Sequence, residues 1–144
     1  MNVAQILRHK GSSEVATITS AETVADAAAA LAARRIGALV VSDDGAQVVG
    51  IVSERDIVRW LGKEGGRCLS RPVADVMTRR VETCTPADDI ARIMSRMTQG
   101  RFRHLPVMQD GRLAGVVSIG DVVKFRMSEL ELETAALSDM IKGY

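Results

Sequence analysis

Two four-residue stretches, Ser53-Glu54-Arg55-Asp56 and Ser118-Ile119-Gly120-Asp121, each put a hydroxyl and a carboxylate three residues apart, directly after a short apolar run. If such a stretch opens a helix, the carboxylate lies in its first turn. There it can accept both hydrogens of a vicinal diol such as that of a ribose. Hydrogen bonds to a charged group contribute about 1.5–3 kcal/mol. The serine at the helix mouth adds a hydroxyl and nearby backbone N–H groups that face an anion, which a helix N-terminus already favours. The same residue types at this spacing are also ordinary helix caps. Either stretch alone therefore leaves capping and ligand binding open.

Other chemistries find little support. There is no GxGxxG and no Walker sequence. His9 and His104 are the only histidines, and neither sits at zinc-ligand spacing from a cysteine. Cys68 and Cys84 form no CxxC pair and no disulfide framework, and Cys84, next to a strand pattern, reads as a small core residue. No Ser/His/Asp set can be assembled, no metal site is expected, and Arg101-Phe102-Arg103 is not an RNA-binding motif. Catalytic residues are therefore expected to be none.

The elements that must position the two stretches occur twice. Ile36-Gly37-Ala38-Leu39-Val40-Val41 lines up with Phe102-Arg103-His104-Leu105-Pro106-Val107. The same offset relates Thr17 to Thr83, Val24 to Ile90, Leu31 to Met97 and Gly45 to Gly111. One residue fewer in a turn then brings Gly50-Ile51-Val52-Ser53 onto Gly115-Val116-Val117-Ser118. Each copy begins with an extended piece, residues 15–19 or 81–85. An amphipathic helix follows, with Thr23 as its N-cap in copy one. Its apolar face falls at Val24, Ala27, Ala28 and Leu31 in copy one and at Ile90, Ile93, Met94 and Met97 in copy two. Gly37 and Gly100 lie near the helix ends, where glycine is common. Two strands joined at Asp43-Asp44-Gly45 or Asp110-Gly111 read as a hairpin. A closing helix, 54–61 or 119–130, completes the order β-α-β-β-α.

The expected fold class is α+β, two such repeats about a pseudo-twofold axis. The first occupies residues 1–64, a linker 65–71, the second repeat 72–130, and a helical tail 131–144. The tail is expected to cover the module or a partner subunit.

The chain has 144 residues, of which 47% are hydrophobic and only 3% aromatic, so its core must be built from aliphatic side chains. Nineteen basic and eighteen acidic residues nearly cancel, which argues against a broad basic nucleic-acid surface. No apolar run approaches the roughly 18 residues of a membrane span. With no leader visible and no disulfide pattern, a reducing cytoplasm is the expected compartment.

The doubled Gly-hydrophobic-hydrophobic-Ser-x-x-Asp motif, the Arg103-His104-Leu105-Pro106-Val107 segment and the repeat order together resemble the CBS domain, which occurs in tandem as the Bateman module. The resemblance covers about residues 3–130. It implies a regulatory module that binds an adenine nucleotide between repeats, AMP first, with ADP, ATP, NAD(H) or S-adenosylmethionine as other ligands. It implies no catalytic cofactor, a homodimer, and an unidentified effector protein in trans. By the family pattern one cleft joins Ser53, Arg55 and Asp56 to Val81, Glu82 and Thr83, with Arg103, His104 and Pro106 beside the phosphate. Arg103 can also be read as a solvated strand-end charge. The other cleft joins Ser118, Ile119, Gly120 and Asp121 to Val15, Ala16 and Thr17. There Gly37 and Ala38 replace the Arg-His pair and Val40 replaces Pro106, so that cleft is expected to discriminate less between AMP and adenosine than the first. The competing expectation is a ligand-free dimeric scaffold with vestigial clefts.

Overall fold

Apolar residues at helical spacing follow a hydroxyl or carboxylate cap at Thr23, Ser53, Asp89 and Ser118, and an amide cap at Asn2. The computed structural model describes residues 1–11 and 15–143. In the first repeat β1 (Thr17–Ile18) leads to α2 (Val24–Arg34), then β2 (Ala38–Val41), β3 (Gly50–Ser53) and α3 (Glu54–Glu64). The preceding α1 spans Val3–Lys10. β1 runs parallel to β2, and β2 pairs antiparallel with β3. In the second repeat α5 (Ile90–Gly100), β4 (His104–Gln109), β5 (Arg112–Ser118) and α6 (Ile119–Ile141) follow the same order. Its first extended piece is reduced to one parallel bridge, Cys84 beside Val107, where copy one has β1. The fold is thus the expected mixed α+β pair of repeats.

Local chemistry explains the boundaries. Thr23 caps α2, its hydroxyl accepting the Asp26 N–H, and Asp26 returns the favour to the Thr23 N–H. Asp110 and Gly111 both adopt positive φ, 53° and 76°, the geometry of a tight hairpin turn whose twist matches its strands. The residues that turn left-handed after α2 and α5 are Arg35 and Arg101, not the neighbouring glycines. The expected 65–71 linker is ordered: Gly65–Ser70 form a 3-10 helix with Cys68 fully buried. Arg71 then bonds Glu64 and Asp75 and stacks 4.9 Å from the Trp60 ring centroid.

The packing units do not follow the sequence units 1–64 and 72–130. Val3 and Ile6 of α1 are fully buried in the second core, with Ile90, Ile93, Met97, Leu105, Val117 and Val122. In exchange, Val73 and Val76 of the short α4 (Val73–Val76) complete the first core around Leu31, Leu39 and Val52. Backbone bonds tie each visitor down: Val3 N–H to the Asp88 carbonyl at 3.0 Å, and Val73 N–H to the Glu22 carbonyl at 2.7 Å.

No break separates a closing helix from a tail, because α6 is continuous for 23 residues. Leu130, Leu132, Leu137, Met140 and Ile141 are all exposed on it. The tail therefore does not cover this chain.

Candidate functional site

The two hairpins meet edge to edge, Leu113 N–H bonding the Ala46 carbonyl at 2.8 Å and the Gln47 amide bonding the Gly111 carbonyl at 2.9 Å. Two clefts open between the repeats. Each lies within the roughly 300–1,000 Å³ range of small-molecule sites.

The first encloses about 350 Å³ and gathers Ser53, Arg55, Asp56, Val81, Glu82, Arg103 and His104. The other two residues expected there are elsewhere. Pro106 is buried in β4, its carbonyl accepting the Cys84 N–H, and Thr83 is turned outward, its carbonyl accepting from Arg96. Four arginines besides Arg103 line this cleft: Arg55, Arg59, Arg80 and Arg101. Of these only Arg55 was expected from the sequence. The left-handed turn at Arg101 brings it to the rim, a placement with no signature in the residue pattern.

The second cleft encloses about 400 Å³ and is lined by Val15, Ala16, Gly37, Ala38 and Ser118 from the expected set. Thr17, Ile119, Gly120 and Asp121 are outside its wall, while Leu7, Lys10, Arg35 and Gly115 are part of it. Asp121 still communicates with it, since the Lys10 ammonium sits 2.9 Å from Asp121 Oδ2. Gly37 and His104 line both clefts. A Cβ at Gly37 would stand 3.0 Å from Glu54 Oε1 and 3.4 Å from the His104 ring, so a larger residue would crowd the Glu54 carboxylate and the imidazole between the two clefts.

Both Ser/Asp pairs are reciprocal caps. Asp56 Oδ2 accepts from the Ser53 N–H at 2.9 Å and hydroxyl at 3.0 Å, and Asp121 Oδ2 accepts from the Ser118 N–H at 3.0 Å. Thr23 and Asp26 make the same box without bordering either cleft. Capping alone therefore does not mark a site; the cavity in front of the cap does. Each carboxylate keeps Oδ1 outside its cap, with Arg59 the nearest charge at 3.6 Å in the case of Asp56.

Burial pushes the His104 imidazole below its ordinary value, although Glu54 pulls the other way. It is thus neutral near pH 7, and the fixed charge of the first cleft comes from arginine. Burial by itself would push the Asp121 carboxyl up, but the Ser118 N–H and Lys10 outweigh it and hold it below the ordinary carboxylate value. The Cys84 thiol is pushed up to about 12 by burial, which leaves no thiolate to act as a nucleophile. Among the described residues no group of His, Cys, Asp and Glu is arranged to hold a metal, and no helix is long and apolar enough to cross a membrane.

The geometry can be set beside known proteins. The model of the CBS domain matches residues 3–63 and again 73–128. The mitochondrial CBS domain-containing protein CBSX3 of Arabidopsis thaliana is 36% identical over 98% of this chain and 72% of its own. The crystal structure of the CBS-domain containing protein ATU1752 from Agrobacterium tumefaciens superposes with a TM-score of 0.83 at 42% identity, covering 88% of this chain and 99% of that one. The CBS domain protein PAE2072 from Pyrobaculum aerophilum, solved complexed with AMP, superposes with a TM-score of 0.77 at 27% identity, covering 93% and 99%.

Proposed function

The chain belongs to the CBS-domain family, and from that premise we propose that it is a regulatory module, not an enzyme, that binds an adenine nucleotide in its clefts and signals to a partner protein in trans. The observation that carries this reading is the first cleft. A helix N-terminus with Ser53 and Asp56 faces a 350 Å³ cavity rimmed by five arginines, a pairing of diol acceptor and anion site that suits a nucleoside phosphate. AMP is the favoured ligand, in keeping with the AMP complex of the Pyrobaculum relative. ADP, ATP, NAD(H) and S-adenosylmethionine are the other candidates, and the cytoplasm is the proposed compartment.

The scaffold reading has one observation in its favour, namely that both Ser/Asp pairs are already occupied as caps. Thermal denaturation separates the two. AMP should raise the melting temperature saturably and GMP should do less, since a ligand bound only to the native state stabilises it by about 2.7 kcal/mol at a hundred times its dissociation constant. If no adenine nucleotide shifts the transition at millimolar concentration, the scaffold reading replaces the sensor. Nucleotide turnover in the same samples would restore an enzymatic reading.

A homodimer is part of the proposal. Val123, Met127, Leu130, Leu137 and Ile141 fall on one stripe of α6 at heptad spacing, with Thr134 as its one polar member. Met127 is 57% and Leu137 59% exposed. Light scattering should give twice the 15.5 kDa chain mass, and the double variant Leu130→Glu, Leu137→Glu should give the monomer. A wild-type monomer at micromolar concentration would count against the pairing.

A further inference from the structure

The second cleft carries Gly37 and Ala38 where the first has Arg103 and His104, yet it is not without positive charge. Lys10, the last residue of α1, reaches into it from an element that is not part of the cleft's own strands. Its ammonium donates to the Val116 carbonyl at 3.0 Å and to Asp121 Oδ2 at 2.9 Å, while its side chain remains 40% exposed. Arg35, held left-handed after α2, lines the same space. We infer that Lys10 is the phosphate-recognising cation of the second cleft, and that its pairing with Asp121 makes this cleft select phosphorylated over unphosphorylated nucleosides. The inference rests on the nucleotide reading above.

The selection follows from what each ligand does to the Lys10–Asp121 pair. A ribose diol needs the carboxylate of Asp121, one oxygen of which already serves both the Ser118 N–H and the ammonium. Asp121 Oδ1 stays open to a ribose, but the carboxylate's charge is already met by Lys10 through Oδ2, and an uncharged nucleoside brings no anion to draw the ammonium away. A nucleoside 5′-monophosphate brings its own anion. Lys10 then exchanges one charge-assisted bond for another of similar strength. Lysine suits this exchange because it is a compact charge on a flexible four-carbon stem. From the sequence the second cleft is expected to discriminate less between AMP and adenosine than the first; Lys10 is the cation which that expectation lacks.

Calorimetric titration of the full chain tests this. Asp56→Asn, which keeps a capping oxygen, removes the first cleft's carboxylate charge and so weakens its AMP step relative to that of the second; circular dichroism checks its fold. On that background Lys10→Met should weaken AMP roughly 10- to 150-fold. Adenosine should bind unchanged or tighter, because its competitor for Asp121 is gone. Lys10→Arg should restore most of the AMP affinity. If Asp56→Asn does not fold, the Lys10 variants are read in the wild-type background, where one of two AMP steps should weaken and the other hold. AMP binding altered less than twofold by Lys10→Met, or AMP and adenosine weakened together, overturns the role of Lys10. AMP binding that a folded Asp56→Asn chain loses completely also overturns it, and leaves the nucleotide reading standing. Failure of the wild type to bind either AMP or adenosine removes that reading, and the role of Lys10 with it.

Discussion

Replacing Asp56 by Ala should cost the first cleft roughly 10- to 150-fold in AMP affinity, the equivalent of one charge-assisted contact of about 1.5–3 kcal/mol. Asp56 is only 4% exposed, and its Oδ2 is committed to Ser53. What a ribose can reach is Oδ1, and alanine offers nothing in its place. Part of any loss comes from the helix itself, because removing a cap destabilises by about 0.5–2 kcal/mol. Asp56→Asn keeps a capping acceptor and discards the charge, so comparing the two variants separates fold from ligand. Arg103→Ala on the same cleft should weaken AMP much more than adenosine, since the guanidinium serves the phosphate and not the sugar. Titration calorimetry reads all three. Should Asp121→Ala abolish tight AMP binding while Asp56→Ala leaves it intact, the assignment of the tighter site to the first cleft is wrong.

A second large effect is expected far from either cleft. Ile6→Ala should destabilise the chain by about 2–5 kcal/mol, the usual cost of emptying a buried aliphatic site. At this chain length that lowers the melting temperature by roughly 5–20 °C. Ile6 is fully buried among Ile90, Ile93 and Met97, residues of the other repeat. Val58→Ala, on a side chain 67% exposed, is the control and should stay within about 0.5 kcal/mol of wild type. Thermal denaturation at one fixed protein concentration checks both, since assembly makes the midpoint concentration-dependent. A small effect at Ile6 would mean that α1 is dispensable to the second core.

These two residues mark how far the sequence can be read. Asp56 was legible because its motif occurs twice in register, each time after a helix and a hairpin with their own local signals. Periodicity found α2 and α5, Asp-Gly found the second hairpin, and Thr23 announced its own helix. Ile6 was legible as apolar, but periodicity names a buried face without naming the core that buries it. The same gap hid Lys10, Arg80 and Arg101, whose approach to the clefts depends on how α1 docks and where the chain turns left-handed. The apolar tail of α6 was legible as surface that a monomer leaves exposed, but not which partner covers it, because an apolar stripe looks alike whether its partner is the same chain or another. The first strand of copy two shrank to a bridge although Val81 and Thr83 suit a strand, and nothing in the residue pattern explains it.

The exchange of α1 and α4 between the cores also constrains how the protein is made. A ribosome delivers the chain from one end at roughly 5–20 residues per second. The first core cannot close until Val73 and Val76 have emerged, some distance beyond the end of its own last helix. α1 waits longer, because its docking surface includes Val117 and Val122. For roughly 5–20 s the nascent chain holds Val3 and Ile6 without their partners, a natural holding point for a chaperone. A release of the polypeptide between the repeats would leave both halves with an open core, so truncated products should be cleared rather than accumulate as half-modules.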